Sequence, residues 1–515
     1  MNKTSTSKKI GFAILFASLS FNQIYAQAVV EGFDDITVTT TTNGWSIQNL
    51  SNPVGTTTWD QGAGVGAPAY SGAADSYAQA GYTATDPAGT GTISDWLIGP
   101  EYTFNNGDTI SFWALSYNSG TYPDRLELRL SLAGASTNVG TTEFEYGDFN
   151  VLLTTINPYL DTTDFPDVAV HANSWFKYIG IVSGLTAPTS GRFAFRYFVL
   201  DGGGTGANSS TIGIDEVTYN PNTLTVPPCS ETFEDLSILL GTGGWAAQNL
   251  SNPLGTVSWE QGPGGLGATA NSGTASSYIA DDYQATDPNG TGTISDWIIS
   301  DTNTFNNGDL VTFYALSYNS FTYPDRVELR LSVNGSSTNV GSNETEVGDF
   351  SILLATVNPY LDSLGFPSIA NLSQSWQIYG GYINGLAGPT QGRVAIRYYV
   401  PDGGGLGSNS SSIGIDDISI TPCVITGINQ VSAADVRVNI YPNPAMDEIM
   451  IDLGTFANEN SVVKIYNAMG QEVRNIRINK GDRQLSVDLR NFDGGLYQVL
   501  ISDKNNSYRK EIVKE

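Results

Sequence analysis

The chain states one pattern twice, about 200 residues apart, and then a different one once. The run Gly44-Trp45 through Gln48-Asn-Leu-Ser-Asn-Pro53 recurs as Gly244-Trp245 through Gln248-Asn-Leu-Ser-Asn-Pro253, and Ala114-Leu-Ser-Tyr-Asn-Ser119 recurs unchanged as Ala315 to Ser320. Thr121-Tyr-Pro-Asp-Arg125, Asn157-Pro-Tyr-Leu160 and Asp201-Gly-Gly-Gly204 return as Thr322 to Arg326, Asn358 to Leu361 and Asp402 to Gly405. A period this long marks a duplicated domain, not a solenoid of short units. Two copies of one surface on one chain favour multivalent binding over catalysis, because tethering raises effective concentration without any new contact.

The 515 residues exceed what one core supports. They divide into repeat 1 over residues 27–224, repeat 2 over 225–423, a linker over 424–434 and a smaller unit over 435–515. Ahead of these, Lys3, Lys8 and Lys9 precede an apolar run from Ile10 to Leu19, and the small Ala26 precedes Gln27. That pattern predicts a secretory signal peptide over residues 1–26, too short in its apolar part to span a bilayer. No later segment approaches 18 consecutive apolar residues, so no transmembrane helix is expected.

Acids outnumber bases 51 to 23, a net charge of −28, and the excess lies in the two copies. This excludes nucleic acid as a partner, since nothing here neutralises phosphates. The acids either keep a secreted protein soluble or supply oxygen ligands for calcium. The two cysteines, Cys229 and Cys423, flank the second copy. In a secreted protein this reads as a disulfide stapling the first strand of that copy to its last, with no counterpart in the first copy.

Within each copy the apolar period is two. Leu126, Leu128, Leu130 and Leu132 alternate with Glu127, Arg129 and Ser131, and Arg192 to Val199 alternates similarly. Such segments read as half-buried antiparallel strands. Asn105-Asn-Gly-Asp108 and Asn306-Asn-Gly-Asp309 supply turn residues ahead of the next strand, and no stretch sustains a helical stripe. The expected fold is all-β: two tandem jelly-roll β-sandwiches. In the last unit short strands recur at Val438 to Ala445, Val462 to Tyr466 and Gly494 to Ile501, which suggests a small immunoglobulin-like β-sandwich.

Tyr441-Pro-Asn-Pro444, Lys464-Ile-Tyr-Asn-Ala-Met-Gly-Gln-Glu-Val473, Gly494-Gly-Leu-Tyr497 and the basic ending Tyr508 to Glu515 resemble the type A C-terminal sorting domain of the type IX secretion system of Bacteroidetes. The resemblance implies handling by the type IX secretion machinery and a secreted or outer-membrane cell-surface location. It also implies frequent removal of this domain, with release or anchoring of the rest. The two copies resemble the choice-of-anchor J family, related to cleaved adhesin domains and to the MAM jelly roll. The residues that carry this are Glu31-Gly-Phe-Asp-Asp35, Gly44-Trp45, Ser94-Asp-Trp-Leu-Ile98 and Gly213-Ile-Asp-Glu-Val217, with their twins from Glu231 to Ile418.

In jelly rolls of this kind the first and last strands lie side by side, and their acids can share a cation. The resemblance therefore implies structural calcium at Glu31, Asp34, Asp35 and Asp215, and again at Glu231, Glu234, Asp235 and Asp416. The competing reading of these acids is a solvated sheet edge. Asp201 to Ser210 and Asp402 to Ser411 lack the Gly-Lys-[Ser/Thr] ending of a phosphate loop and read as crossovers before the last strand. Trp59, Tyr122, Trp259 and Tyr323, with Tyr117, Tyr159, Tyr318 and Tyr360, are aromatic candidates for stacking a glycan or anchoring a protein ligand. The Asp124-Arg125 pair is expected to fix the start of a strand, its charges paired or solvated.

His171 is the sole histidine and Leu372 stands at its place in the second copy, so the copies share no histidine chemistry. The expected function is thus a non-catalytic, adhesin-like binding protein. The alternatives are a polysaccharide-degrading enzyme with paired carboxylates, such as Glu127 and Asp148 with twins Glu328 and Asp349, or a structural surface component.

Overall fold

A computed structural model describes the protein from residue 28 to 514, except 64–65, 169–174, 222–229, 263–265, 370–374, 422–428, 431–438, 454–461, 468–471, 479–482, 491, 493 and 503–505. The signal segment, His171, Cys229 and Cys423 lie outside the described residues. The chain forms two compact units, Met1–Pro422 and Cys423–Glu515, so that both repeats belong to the first.

Repeat 1 is a sandwich of two antiparallel sheets. One sheet runs β3 (Asp60–Gln61), β4 (Ala78–Gly81), β11 (Thr211–Asn220), β6 (Thr109–Ser116) and β9 (Phe176–Ile181), with β1 (Val29–Glu31) also paired to β11. The other runs β2 (Ser46–Asn49), β5 (Gly91–Phe104), β10 (Thr189–Gly202), β7 (Leu126–Ser131) and β8 (Val151–Ile156). Inward residues of both sheets, such as Phe112, Ile212 and Ile214 against Leu97, Leu128 and Phe195, close a core that belongs to this repeat alone. Repeat 2 repeats the order with strands from Ser230–Glu231 to Ser412–Thr421 around its own core of Phe313, Ile413, Leu329 and Ile396. The all-β sandwich expectation therefore holds. The Asn105 to Asp108 turn forms as read, with Gly107 at φ +90° and Asp108 accepting from the Asn105 amide.

The C-terminal unit packs a sheet of Asn429–Gln430, Asn506–Lys514, Gly495–Ser502, Val462–Asn467 and Glu472–Arg477 against one of Asn439–Tyr441, Glu448–Asp452 and Gln484–Asp488. Ile449, Ile451, Val463, Ile465 and Val499 fill the space between them. Asn429–Gln430 lies inside the expected linker yet pairs in parallel with Asn506 and Ser507.

Two details depart from the period-two reading. A short helix α1 (Ile36–Thr41) follows β1, with Asp35 as its N-cap accepting from the Thr37 and Val38 amides; α2 (Leu236–Gly241) repeats it under Asp235. These β-branched residues favour strands, but the cap and the burial of Ile36 and Thr39 override that preference. Strand β7 is also not half-buried: every one of its residues is buried, the polar face included.

That polar face holds an ion cluster. The Glu127 carboxylate accepts from Arg129 Nε at 2.6 Å and Arg196 Nη1 at 3.3 Å, and Glu328 does the same with Arg330 and Arg397 at 2.7 and 3.3 Å. Burial alone pushes the Glu127 carboxyl up, but the two guanidiniums outweigh it and hold the group down at about 2. Asp124 is likewise buried, and it bonds not to Arg125 but to Ser116 Oγ, Tyr197 OH and the Ser210 amide. Arg125 instead donates to the carbonyls of Phe198 and Pro158. The expectation of a paired or solvated Asp124-Arg125 motif is thus corrected, because neighbouring loops cover both side chains.

Removing one partner of a buried ion pair strands the other, so Glu127→Ala should cost about 3–5 kcal/mol in urea unfolding. Tyr360→Phe, which removes one hydroxyl hydrogen bond to the same carboxylate, should cost about 1 kcal/mol. Asp95 is buried with one carboxylate oxygen unpartnered, and burial pushes it up to about 8. Its folded-state value lies above the unfolded one, so its stabilisation is full below about pH 4 and lost as pH rises through about 8. Melting temperature should fall across that window, and Asp95→Asn should flatten the fall.

Candidate functional site

Two features recur in both repeats outside the core. The first is an acid-gripped loop. In β11 the register slips between Asp215 and Thr218, and Glu216 sits at φ +48° in the bulge. A bulge re-aims its side chains, and here it sends Asp215 toward the loop from Tyr70 to Ser76 and sets Glu216 Oε1 beside Gly32 of the first turn. Asp215 Oδ2 accepts from the Ser71 amide at 3.0 Å, and Asp34 Oδ1 lies 3.1 Å from where a Gly72 Cβ would stand. Asp34 reaches that position because Phe33, at φ +51°, turns its ring into the core against Trp45 and leaves the next residue outward.

Repeat 2 shows the grip more fully. Asp416 Oδ2 accepts from the amides of Asn271 and Ser272, Asp417 from Asn271 Nδ2 and Ser272 Oγ, and Glu234 from Ser277 Oγ. Burial pushes both Asp215 and Asp416 up to about 7. Among the described residues none of the ion pairs involves these acids.

The predicted acids therefore separate. Asp34 and Asp215, with Glu234 and Asp416, meet at the loop. Asp35 and Asp235 do not: their Oδ1 atoms cap the helices. Glu31 turns toward α1 as well, accepting from the Phe33 amide, Thr39 Oγ1 and Asn43 Nδ2, and Glu231 accepts from the Phe233 amide. Glu216 and Asp417 join the site although only the last-strand motif hinted at them. So do Gln61 and Gln261: Gln61 accepts from the Ile36 amide and donates to the carbonyls of Phe33 and Asp75, tying the first turn to the loop. The signal for them was the duplicated Gln-Gly that follows Asp60 and Glu260. Among the described residues no three acidic, histidine or cysteine side chains form a ready-made metal cage. The donor set is nonetheless carboxylates beside loop backbone, the oxygen chemistry that suits calcium.

The second feature is a tyrosine-rich end. Strands β4 and β6 finish, and β11 begins, at the same end of the sandwich. Tyr82 N donates to the Ser210 carbonyl, Tyr117 N to the Thr211 carbonyl and Asn118 N to Ser210 Oγ, so these loops converge. Tyr82, Tyr117 and Tyr122 are about half exposed there, Tyr122 at 44%; Tyr283, Tyr318 and Tyr323 are similarly exposed in repeat 2, Tyr323 at 45%. Trp59 and Trp259 are a correction: 2% and 5% exposed, they belong to the two cores and cannot stack a ligand. Tyr159 and Tyr360 are taken up elsewhere, their hydroxyls donating to Glu328 and Glu127 of the other repeat at 2.7 Å.

The paired-carboxylate site loses its main members. A general acid must carry a proton near neutral pH, and Glu127 and Glu328 are held near 2 by their arginines. Asp148 and Asp349 accept from Ser136 and Ser337 within their own loops. The Asp201 loop is a crossover, as read: Gly204 passes so close to Pro87 that a Cβ would lie 1.9 Å from its carbonyl.

The geometry defines a protein of two matched β-sandwiches followed by a separate small β-unit. Residues 439–515 of that last unit match the secretion system C-terminal sorting domain, which makes the chain a type IX-secreted or cell-surface protein. No helix among the described residues is long and apolar enough to cross a membrane. No curated protein matches the chain. Among solved structures it is similar to the K1 cleaved adhesin domain of Lys-gingipain from Porphyromonas gingivalis W83, at 15% identity and TM-score 0.23, covering 34% of this chain and 89% of that one. The K3 domain of the same protein is similar at 15% identity and TM-score 0.25, over 38% and 98%. The glycoside hydrolase domain of Endo-D from Streptococcus pneumoniae R6 is similar at 8% identity and TM-score 0.22, over 58% and 40%. Values this low assign no activity.

Gln61→Ala removes three hydrogen bonds, two to the first turn and one to the loop, that tie the two together. It should cost about 1–3 kcal/mol and speed amide exchange at Ile36 and at residues 71–76, with the rest of repeat 1 unchanged.

Proposed function

We propose that this chain is an adhesin-like binding protein whose two sandwiches present their tyrosine-rich ends to an extracellular glycan or protein. The observation that carries the reading is the duplication of three exposed tyrosines on two converging loops in each repeat. Tyrosine offers a flat face for a sugar ring and a hydroxyl for a hydrogen bond, at low conformational entropy cost. Two such ends on one body bind a repetitive ligand with avidity that neither end has alone.

Calcium completes the proposal as a structural ion. Asp34, Asp215 and Glu216, with Glu234, Asp416 and Asp417, are the residues that would hold it, joined by carbonyls of the adjoining loops. A divalent cation there offsets the charge of clustered acids and fixes the first turn, the last strand and the loop from Tyr70 to Ser76 to one another. It has no part in a reaction.

A glycan array probed with the purified chain, in calcium and in chelator, tests both parts. Binding is expected in calcium, about tenfold or more weaker for Tyr122→Ala with Tyr323→Ala, with no sugar released. Asp215→Asn with Asp416→Asn should remove the calcium-dependent rise in melting temperature. Release of sugar from a bound polymer would replace the binding reading with a hydrolytic one.

A further inference from the structure

The contact between the two repeats is made from matched pairs. Tyr159 reaches Glu328, and Tyr360 reaches Glu127. The Arg326 guanidinium lies over the Tyr159 ring at 5.4 Å, and Arg125 over Tyr360 at 5.3 Å. Gly184 sits beneath Gln377, and Gly385 beneath Phe176. Strand β9 lies against the strand Gln377–Tyr382: Lys177 approaches the Tyr382 ring, while Ile181 and Ile378 belong to one apolar cluster. In each pair the equivalent residues exchange roles between repeats. Such an interface is isologous, the geometry of a two-fold dimer, although both halves here belong to one chain.

We propose that this face is a homotypic docking surface whose partner is a second copy of the chain, repeat 2 seating on repeat 2 through the same contacts. An isologous face is self-complementary by construction, so whatever fits its twin fits itself wherever the residues agree. They agree at the tyrosine anchors: Tyr360 meets Glu328 and Arg326 in such a pair as Tyr159 does now, although Asp362, which now bonds Tyr146, would face Val347 there. At the centre Ile378 meets Tyr382, apolar on both sides. Asn384 now bonds the Lys177 backbone through both its amide atoms, and in a repeat 2 pair it has the equivalent Ile378 backbone twice over.

Repeat 1 fits itself less well. Lys177 would face Ile181 in place of an aromatic ring, burying an ammonium against a methyl surface, and Ser183 stands where Asn384 should be. The homotypic preference is therefore for repeat 2. In the intact chain the covalent tether holds repeat 1 on this face at an effective concentration on the order of millimolar. Pairing between chains then appears when the tether is cut or when chains are crowded beyond that concentration.

Two preparations of the full chain, bearing different C-terminal tags and a protease site within residues 222–229, are mixed, cleaved and captured through one tag. The second tag should co-purify after cleavage and not before, and Ile378→Asp, which places a charge at the centre of the face, should abolish it. Tyr360→Phe should weaken it about tenfold, since two hydrogen bonds are lost per pair. Failure of the second tag to co-purify after cleavage overturns the proposal, as does co-purification that survives Ile378→Asp. Light scattering on repeat 2 alone, whose core is complete without repeat 1, gives the second readout. A folded monomer there is equally fatal.

Discussion

A buried carboxylate between two arginines is the constraint on which the first unit depends. Glu127 and Glu328 are fully enclosed, and an enclosed charge is tolerable only with its counter-charges and hydrogen bonds in place. Each carboxylate uses one oxygen for two arginines of its own sheet and the other for a tyrosine of the opposite repeat. The same side chain thus sets the register of β7 against β10 and the position of one sandwich on the other. The apolar contacts around Ile179, Ile181 and Ile378 add area without direction; the tyrosine hydroxyls supply the direction.

Because that contact makes a single body of both repeats, whatever each repeat displays is displayed in a fixed relation to its twin. The tyrosine-rich ends and the acid-gripped loops belong to different parts of each sandwich. The ends are built where β4, β6 and β11 deliver their loops together, and they stay exposed. The acid loops are built on irregular backbone: a left-handed Phe33 and a bulged Glu216, repeated as Phe233 and Asp417. Irregular conformations that recur in two copies of different sequence are held by their surroundings, here by Gln61 and Gln261 and by the phenyl rings anchored in the core.

Much of this was legible from the residues. The duplication, the all-β class, the Asn-Asn-Gly-Asp turns and the sorting domain follow from repetition, alternation and local turn chemistry, none of which needs distant contacts. The candidate site was half legible. Asp34 and Asp215 could be matched to adjacent strands, but Asp35 became a helix cap because the backbone after Phe33 turns inward, and Glu216 entered through a bulge that alternation cannot foresee.

What the sequence by itself determined is which residues share a face of a strand. What only the tertiary structure decided is what covers that face. Glu127 and Arg129 read as solvent-facing, and Trp59 as an exposed platform, since a period of two separates two sides without saying which is wet. Loops and a second repeat cover the polar side of β7, and the core takes the indole, because burial is settled by packing between segments far apart in the chain.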